Sequence, residues 1–204
     1  MDKIMGRRRA FIKTLGLTAA GFMLGGTACI NSKELKYQPE NVKEVRKACY
    51  QFALLYFHFC KTIVDTLGEE IAFTVVQKTI FELSIDRSNK MRAQAEASGL
   101  EPVFENFRKV TDLARSGWDG WQPSMGGVRC PYAEVWLTYY DGYPWFKRFA
   151  PLFCDVIDTT NIENFTKTTS HRLTKNLLWG DSECVREYFE SDQVKQGKFT
   201  YGSI

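Results

Sequence analysis

The amino-acid sequence predicts an α+β fold, with N-terminal helices packed on a small antiparallel sheet and further helices in the C-terminal half. Three observations predict it. Apolar residues recur at three-four spacing from Val42 to Ile63 and again from Ala72 to Leu83. After Gly117 that spacing gives way to a Gly- and Trp-rich stretch, and the last third alternates about a Gly180-Asp181-Ser182 turn. In a chain of 204 residues, 44% hydrophobic and 14% aromatic, there is ample material for one real core.

The elements follow in order. Asn41 with Glu44 three residues on approximates a capping box, so a helix is expected from there to about Leu67. Its apolar stripe is Val42, Val45, Cys49, Phe52, Tyr56, Phe59 and Ile63, and "FALLYFHF" is apolar all round, which predicts a central, covered helix. Gly68 interrupts it. A second helix is expected from Glu69 to about Ala97, with Ala72, Val76, Thr79, Ile80 and Leu83 on one face and Gly99 ending it. A short helix over 101–116 and a strand leading into Cys130 come next. Pro131 then opens a helix to about Tyr140, because a proline fits a first turn whose N–H has no partner. An aromatic turn, "DGYPWF", precedes a helical segment through "RFAPLFCDVIDTT". Two strands follow, with Leu173, Leu177, Val185, Tyr188 and Phe189 as their buried contacts.

Charge and the N-terminus bear on location. The formal charge of +3 rests on Lys3, Arg7, Arg8, Arg9 and Lys13; without them and Asp2 the chain carries 22 basic and 23 acidic residues. The body therefore offers no electrostatic case for nucleic acid. "GRRRAFIKTLG", with Arg8 and Arg9, resembles the twin-arginine export signal of bacteria, and the apolar "LGLTAAGFMLGGTA" is too short and glycine-rich to span a bilayer comfortably. Gly26 and Ala28 supply a small-x-small cleavage pattern before Cys29, a site that also resembles a lipoprotein box. The resulting division is an export signal over 1–28, a polar tether over 29–40 and one α+β domain over 41–204. The expected partners are the twin-arginine export machinery and a small-molecule substrate, with membrane contact only through the leader or a lipid on Cys29. The expected location is beyond the bacterial inner membrane, periplasmic or lipid-anchored. Twin-arginine export moves folded proteins, which permits a reduced cysteine site in a compartment that otherwise favours disulfides.

Chemistry concentrates in "RCPYAEV", "FCDVID" and "GDSECV". Cys130 stands at a helix N-cap, where the positive end of the helix favours thiolate, the form that acts as nucleophile and metal ligand. Cys154 and Asp158 share a helix face at i, i+4, and Asp155 neighbours Asp158 at i, i+3. Asp181 precedes Cys184 by three positions. Twenty-three residues lie between Cys130 and Cys154 and twenty-nine between Cys154 and Cys184, unlike the short pairs of zinc ribbons.

These elements resemble the L-2-amino-thiazoline-4-carboxylic acid hydrolase family. The likeness is carried by Cys130, Pro131, Ala133 and Glu134, by Cys154, Asp155 and Asp158, and by Gly180, Asp181 and Cys184, and extends more loosely over residues 41 to 190, including "GEEIA" at 68 to 72. It implies hydrolysis of a cyclic thiazoline to an N-carbamoyl-cysteine. Two mechanisms fit the residues. Cys130 attacks as a thiolate, with Asp155, Asp158 or Asp181 as acid or base; or Cys130, Cys154 and Cys184 hold zinc or an iron–sulfur cluster with one position open. The alternatives outside catalysis are a metal or iron–sulfur binding exported lipoprotein, and a surface protein in which two of the three cysteines form a disulfide. Cys49 and Cys60 read as core thiols, His58 as a hydrogen-bonded core histidine and His171, within "TKTTSHRLTK", as a surface residue. The tryptophans at 118, 121, 136, 145 and 179 read as core packing.

Overall fold

The structure, a computed structural model, describes residues 39–110 and 130–200. The leader, Cys29, most of the tether, the end of the helix expected over 101–116, the strand before Cys130, Trp118 and Trp121 lie outside the described residues. The fold is α+β. In order it comprises α1 (Pro39–Leu67), α2 (Glu69–Ala97), α3 (Phe104–Phe107), α4 (Pro131–Trp136), α5 (Phe146–Thr166), β1 (Thr169–Lys175), β2 (Val185–Glu190) and α6 (Asp192–Lys195), with single 3₁₀ turns at Leu137–Tyr139 and Leu177–Trp179. The two strands form one antiparallel sheet.

Helix α1 starts at Pro39, two residues before the expected cap, since proline lacks the N–H that a first turn leaves unpaired. Its inward stripe is Val42, Cys49, Ala53, Tyr56, Phe57 and Cys60. Leu55 is 67% and Phe59 46% exposed, and His58 is exposed too, so "FALLYFHF" is covered on one side only. His58 is therefore no core histidine; its ring lies against Phe57 at the edge of the aromatic layer. Gly68 separates α1 from α2 at φ 80°, ψ 160°, a conformation essentially reserved for glycine. This is why two helices form where the flanking residues would otherwise continue one.

Helix α2 buries Ala72, Val76, Ile80, Ser84, Ser88, Met91 and Ala95, a row of mostly small residues that lets α5 approach closely, while Leu83 and Thr79 face outward. Against this row α5 is buried along most of its length. Its N-terminal half carries Phe146, Phe149 and Phe153 into the main core with Tyr56, Phe57 and Trp136. Trp136 is fully buried between Tyr56 and Phe146, with ring centroids 5.0 and 6.3 Å away, and its indole N–H donates to the Ala53 carbonyl at 2.9 Å. Of the other described tryptophans, Trp145 packs against the core and Trp179 is half exposed.

The C-terminal half of α5 runs to Thr166, beyond the expected end, and buries "TTNIENFT". Several of its polar residues find partners on distant segments. Glu163 accepts the Ser170 hydroxyl at 2.5 Å and the Thr200 N–H at 3.0 Å. Asn164 donates to Ser88 at 2.6 Å and to Asn89 at 2.8 Å. Satisfied in this way, polar groups tolerate burial. Lys167, left-handed at φ 61°, ends the helix.

In the hairpin His171 pairs with Tyr188 and Leu173 with Arg186, so these four share a face, and it is turned toward α5. Phe189 lies on the other face and is 42% exposed, against expectation. His171 is 3% exposed, which corrects its reading as a surface residue.

Candidate functional site

Three segments build the site. Cys130 is the N-cap of α4, with Pro131 in the first turn as the sequence predicts, and its carbonyl accepts the Glu134 N–H at 3.1 Å. Glu134 anchors α4 to α1. Its two carboxylate oxygens accept Arg46 Nη2, each at 2.7 Å, and Oε2 also accepts the Tyr50 hydroxyl at 2.6 Å. The motif glutamate thus positions the turn that presents Cys130.

The second segment is the middle of α5, with Cys154, Asp155 and Asp158. Asp158 Oδ2 accepts Arg186 Nε at 2.9 Å and Nη2 at 2.8 Å. Asp155 is half-buried on the neighbouring face; the α5 carboxylate that pairs with Arg186 is Asp158.

The third segment is the loop entering β2. Asn176 Oδ1 accepts the Leu178 N–H at 2.9 Å and faces the Cys184 thiol at 3.7 Å. Asp181 is exposed, and its carboxylate accepts the Asn176 N–H at 2.8 Å, which closes the loop that holds Cys184. The Tyr140 hydroxyl donates to the Leu178 carbonyl at 3.1 Å and ties this loop to the chain following α4.

Electrostatics show which groups come together. The Cys154 thiol is held well above the ordinary range, first by burial, then by the negative charges that Cys130, Asp158 and Cys184 would set beside it, with Arg186 opposing. Cys154 is thus a thiol at neutral pH, and all three sulfurs lie within electrostatic reach of one another's neighbours. Asp158 in turn holds Arg186 firmly protonated. Burial pushes the His171 imidazole down to about 4, with Asp158 pulling the other way and Arg186 reinforcing burial, so the ring is neutral at pH 7. By contrast Cys49 and Cys60 are buried core thiols, as expected, and burial raises both, Cys60 to about 12.

The five described cysteines are free, so no disulfide joins Cys130, Cys154 and Cys184. Among the described residues no group of three or more His, Cys, Asp or Glu side chains is arranged to hold a metal ion. The three cysteines named as ligands converge electrostatically without composing such a group.

Arg186 and Asn176 were not singled out from the sequence. Arg186 was legible: side chains two apart in a strand share a face, so placing Cys184 at the start of β2 carries Arg186 and Tyr188 to the same side. No comparable signal marks Asn176, whose role depends on a loop that closes only in three dimensions. Comparison of the chain with protein-family models, curated proteins and solved structures finds no match to any of them.

Proposed function

We propose that the protein is a hydrolase of the kind its motifs resemble, opening a cyclic thiazoline or related amidine at the Cys130, Cys154 and Cys184 site. The observation that carries this reading is that Cys130, Cys184 and Asp158, from three distant segments, all act on Cys154, with no disulfide among the three cysteines and Asp158 paired to Arg186. The division of labour follows from their states. Cys130, half-buried at the entrance to α4, is the nucleophile, and Cys154, kept protonated, is the acid.

With an amidinium substrate the Cys130 thiolate adds to the ring carbon between nitrogen and sulfur. The ring C–S bond then breaks, its electron pair leaves on sulfur, and that sulfur takes the Cys154 proton. Water adds to the cationic isothiourea on Cys130, giving one proton to a base at the site. The C–S bond to Cys130 breaks, restoring its thiolate, and the remaining hydroxyl proton of the new urea returns to Cys154. The base later releases its proton to solvent, so one water is consumed and one proton is set free. Asp158 balances Arg186 beside the reacting groups, and Asp181 keeps the Cys184 loop closed.

The test is release of a new thiol from 2-amino-thiazoline-4-carboxylate. Wild type is expected to turn it over and Cys130→Ala, with unchanged circular dichroism, to fall to background; a folded Cys130→Ala protein at the wild-type rate ends this reading. The second reading, a zinc or iron–sulfur protein held by the same three cysteines, is supported by the same convergence. Elemental analysis of the purified protein decides it, since near-stoichiometric zinc or iron supports it and metal-free protein with hydrolase activity removes it.

We propose also that residues 1–28 direct export by the twin-arginine route, on the strength of Arg8 and Arg9 ahead of the apolar stretch. No helix of the described residues is long and apolar enough to cross a membrane. Replacing Arg8 and Arg9 by lysine is expected to hold the protein in the cytoplasmic fraction of a bacterial host, while export unchanged by that replacement removes the assignment.

A further inference from the structure

A guanidinium presents its N–H groups along more than one edge, and a carboxylate that takes one edge leaves another for a second partner. Arg186 stands in that half-used state. Its Nε and Nη2 both meet the same oxygen, Asp158 Oδ2, at 2.9 and 2.8 Å, so the side edge of the fork is taken. Nη1, on the end edge, makes no hydrogen bond or ion pair among the described residues. It is not sealed in either. The buried side-chain polar atoms without a partner among the described residues are Thr160 Oγ1, Asn161 Oδ1, His171 Nε2 and Asn176 Nδ2, and the Arg186 side chain keeps 27% of its surface exposed. Nη1 therefore reaches solvent.

Asp158 also holds that edge in place, since the pair ties β2 to the middle of α5, on the ribbon face where Arg186 opposes Leu173. Two of the site cysteines flank it. Cys154 precedes Asp158 by one helical turn on the same face of α5, about 6 Å along the axis. Cys184 precedes Arg186 by two residues, about 7 Å along an extended chain. Both sulfurs act on the guanidinium in turn. The charges of Asp158 and Arg186 cancel and Cys154 is a neutral thiol, so an arriving anion meets unused donors without a net opposing charge from these three groups. A planar fork, fixed along one edge and open along the next, suits a carboxylate.

We propose that the open edge of Arg186 binds the carboxylate of the substrate, so that Arg186 selects carboxylate-bearing rings. Nη1 and the second N–H of Nη2 take the two carboxylate oxygens, and Asp158 is a positioning residue that keeps the fork from turning. The identity of the ligand rests on the hydrolase reading. The ribbon supplies its own contrast: Arg172, paired with Glu187 on the opposite face, is 66% exposed and has no part in the site.

Binding and turnover test it separately. Calorimetry on the full chain carrying Cys130→Ala, with 2-amino-thiazoline-4-carboxylate and with 2-amino-thiazoline, which lacks the carboxylate, reads recognition without chemistry. The carboxylate compound is expected to bind about 100-fold more tightly, and Arg186→Gln to abolish that preference. Arg186→Lys keeps the charge without the fork and is expected to retain about a tenth of the affinity. Arg186→Gln strands Asp158, so the measurement is repeated with Asp158→Asn added, which leaves both positions neutral, and circular dichroism checks the fold. Arg172→Gln removes the same charge from the far face and is expected to change either affinity by no more than about twofold. Equal affinities for the two compounds before Arg186 is changed, binding of neither, a preference that survives in the folded double variant, or an equal loss in Arg172→Gln each overturns the proposal. With Cys130 restored, kcat/KM for thiol release is expected to lose the same preference in Arg186→Gln, with 2-amino-thiazoline turned over within about threefold of wild type. A protein that binds the carboxylate through Arg186 and releases no thiol removes the hydrolase reading and leaves the carboxylate site standing.

Discussion

Trp136→Ala is expected to lower stability by about 4 kcal/mol, the cost of truncating a large aromatic residue in a core that cannot collapse around it. The indole is fully buried, packed by Tyr56, Tyr132, Phe146 and Phe153, and its N–H satisfies the Ala53 carbonyl in the middle of α1. The substitution therefore opens a void and strands a buried carbonyl at once. Urea unfolding followed by far-ultraviolet circular dichroism measures the loss, and Trp179→Ala is the control. Trp179 is 48% exposed, so its truncation is expected to cost no more than about 1 kcal/mol. Equal losses for the two tryptophans would contradict the assignment of Trp136 as the bolt between α1, α4 and α5. The consequence reaches the site, because α4 carries Cys130 at its first turn and is held to α1 by this tryptophan and by Glu134.

A second large effect is expected on acidification. His171 is held at about 4 in the fold against an ordinary value of 6.5. Between those values the unfolded chain binds the proton and the folded chain refuses it, so the unfolded state carries more protons and stability rises with pH. From about pH 6.5 down to about pH 4 the protein is expected to lose about 3 kcal/mol through this group alone, and nothing further from it below that. Carboxylates titrate near the lower end of the same window, and His171→Asn separates the contributions. Its stability is expected to vary less with pH over that interval and to equal or exceed wild type near pH 4.5. Parallel curves for the two proteins would show that the buried imidazole is charged in the fold or is not buried.

The sequence made the helical half legible because helix faces are set by local spacing. Ala72, Val76 and Ile80 face inward as their period requires, and Pro131 starts a helix for reasons contained in its own ring. Spacing does not say how wide the covered stripe is. Leu55 and Phe59 looked buried only because their neighbours are apolar, and nothing in α1 itself reveals that α5 and α4 cover one side of it.

The polar interior failed for a different reason. Glu163, Asn164 and His171 are acceptable inside only because Ser170, Thr200, Ser88 and Thr159 meet them, and those pairings join α5 to α2, to β1 and to the segment after α6. A string of Thr, Asn, Ser and Glu carries no local mark of such partners, so it reads as surface. The site divides along the same line. Cys130, Cys154 and Cys184 are conspicuous because their residue type is scarce, and the Cys154–Asp158 pair follows from helical geometry. Arg186 follows from strand alternation after Cys184, whereas the burial of His171 becomes visible only once the register of β1 and β2 is known.

That ribbon has only two strands, and a pair of strands has little stability in water apart from what it leans on. Arg186 travels with it, as does Cys184 in the loop that enters β2, while Cys130 and Cys154 stay with the helices. Detaching the ribbon would therefore separate Cys184 and Arg186 from Cys154 and Asp158, and any molecule gripping both sides would act as a latch. Its occupancy should be recorded first as slower amide exchange along β1 and β2, before the helices register that anything has bound.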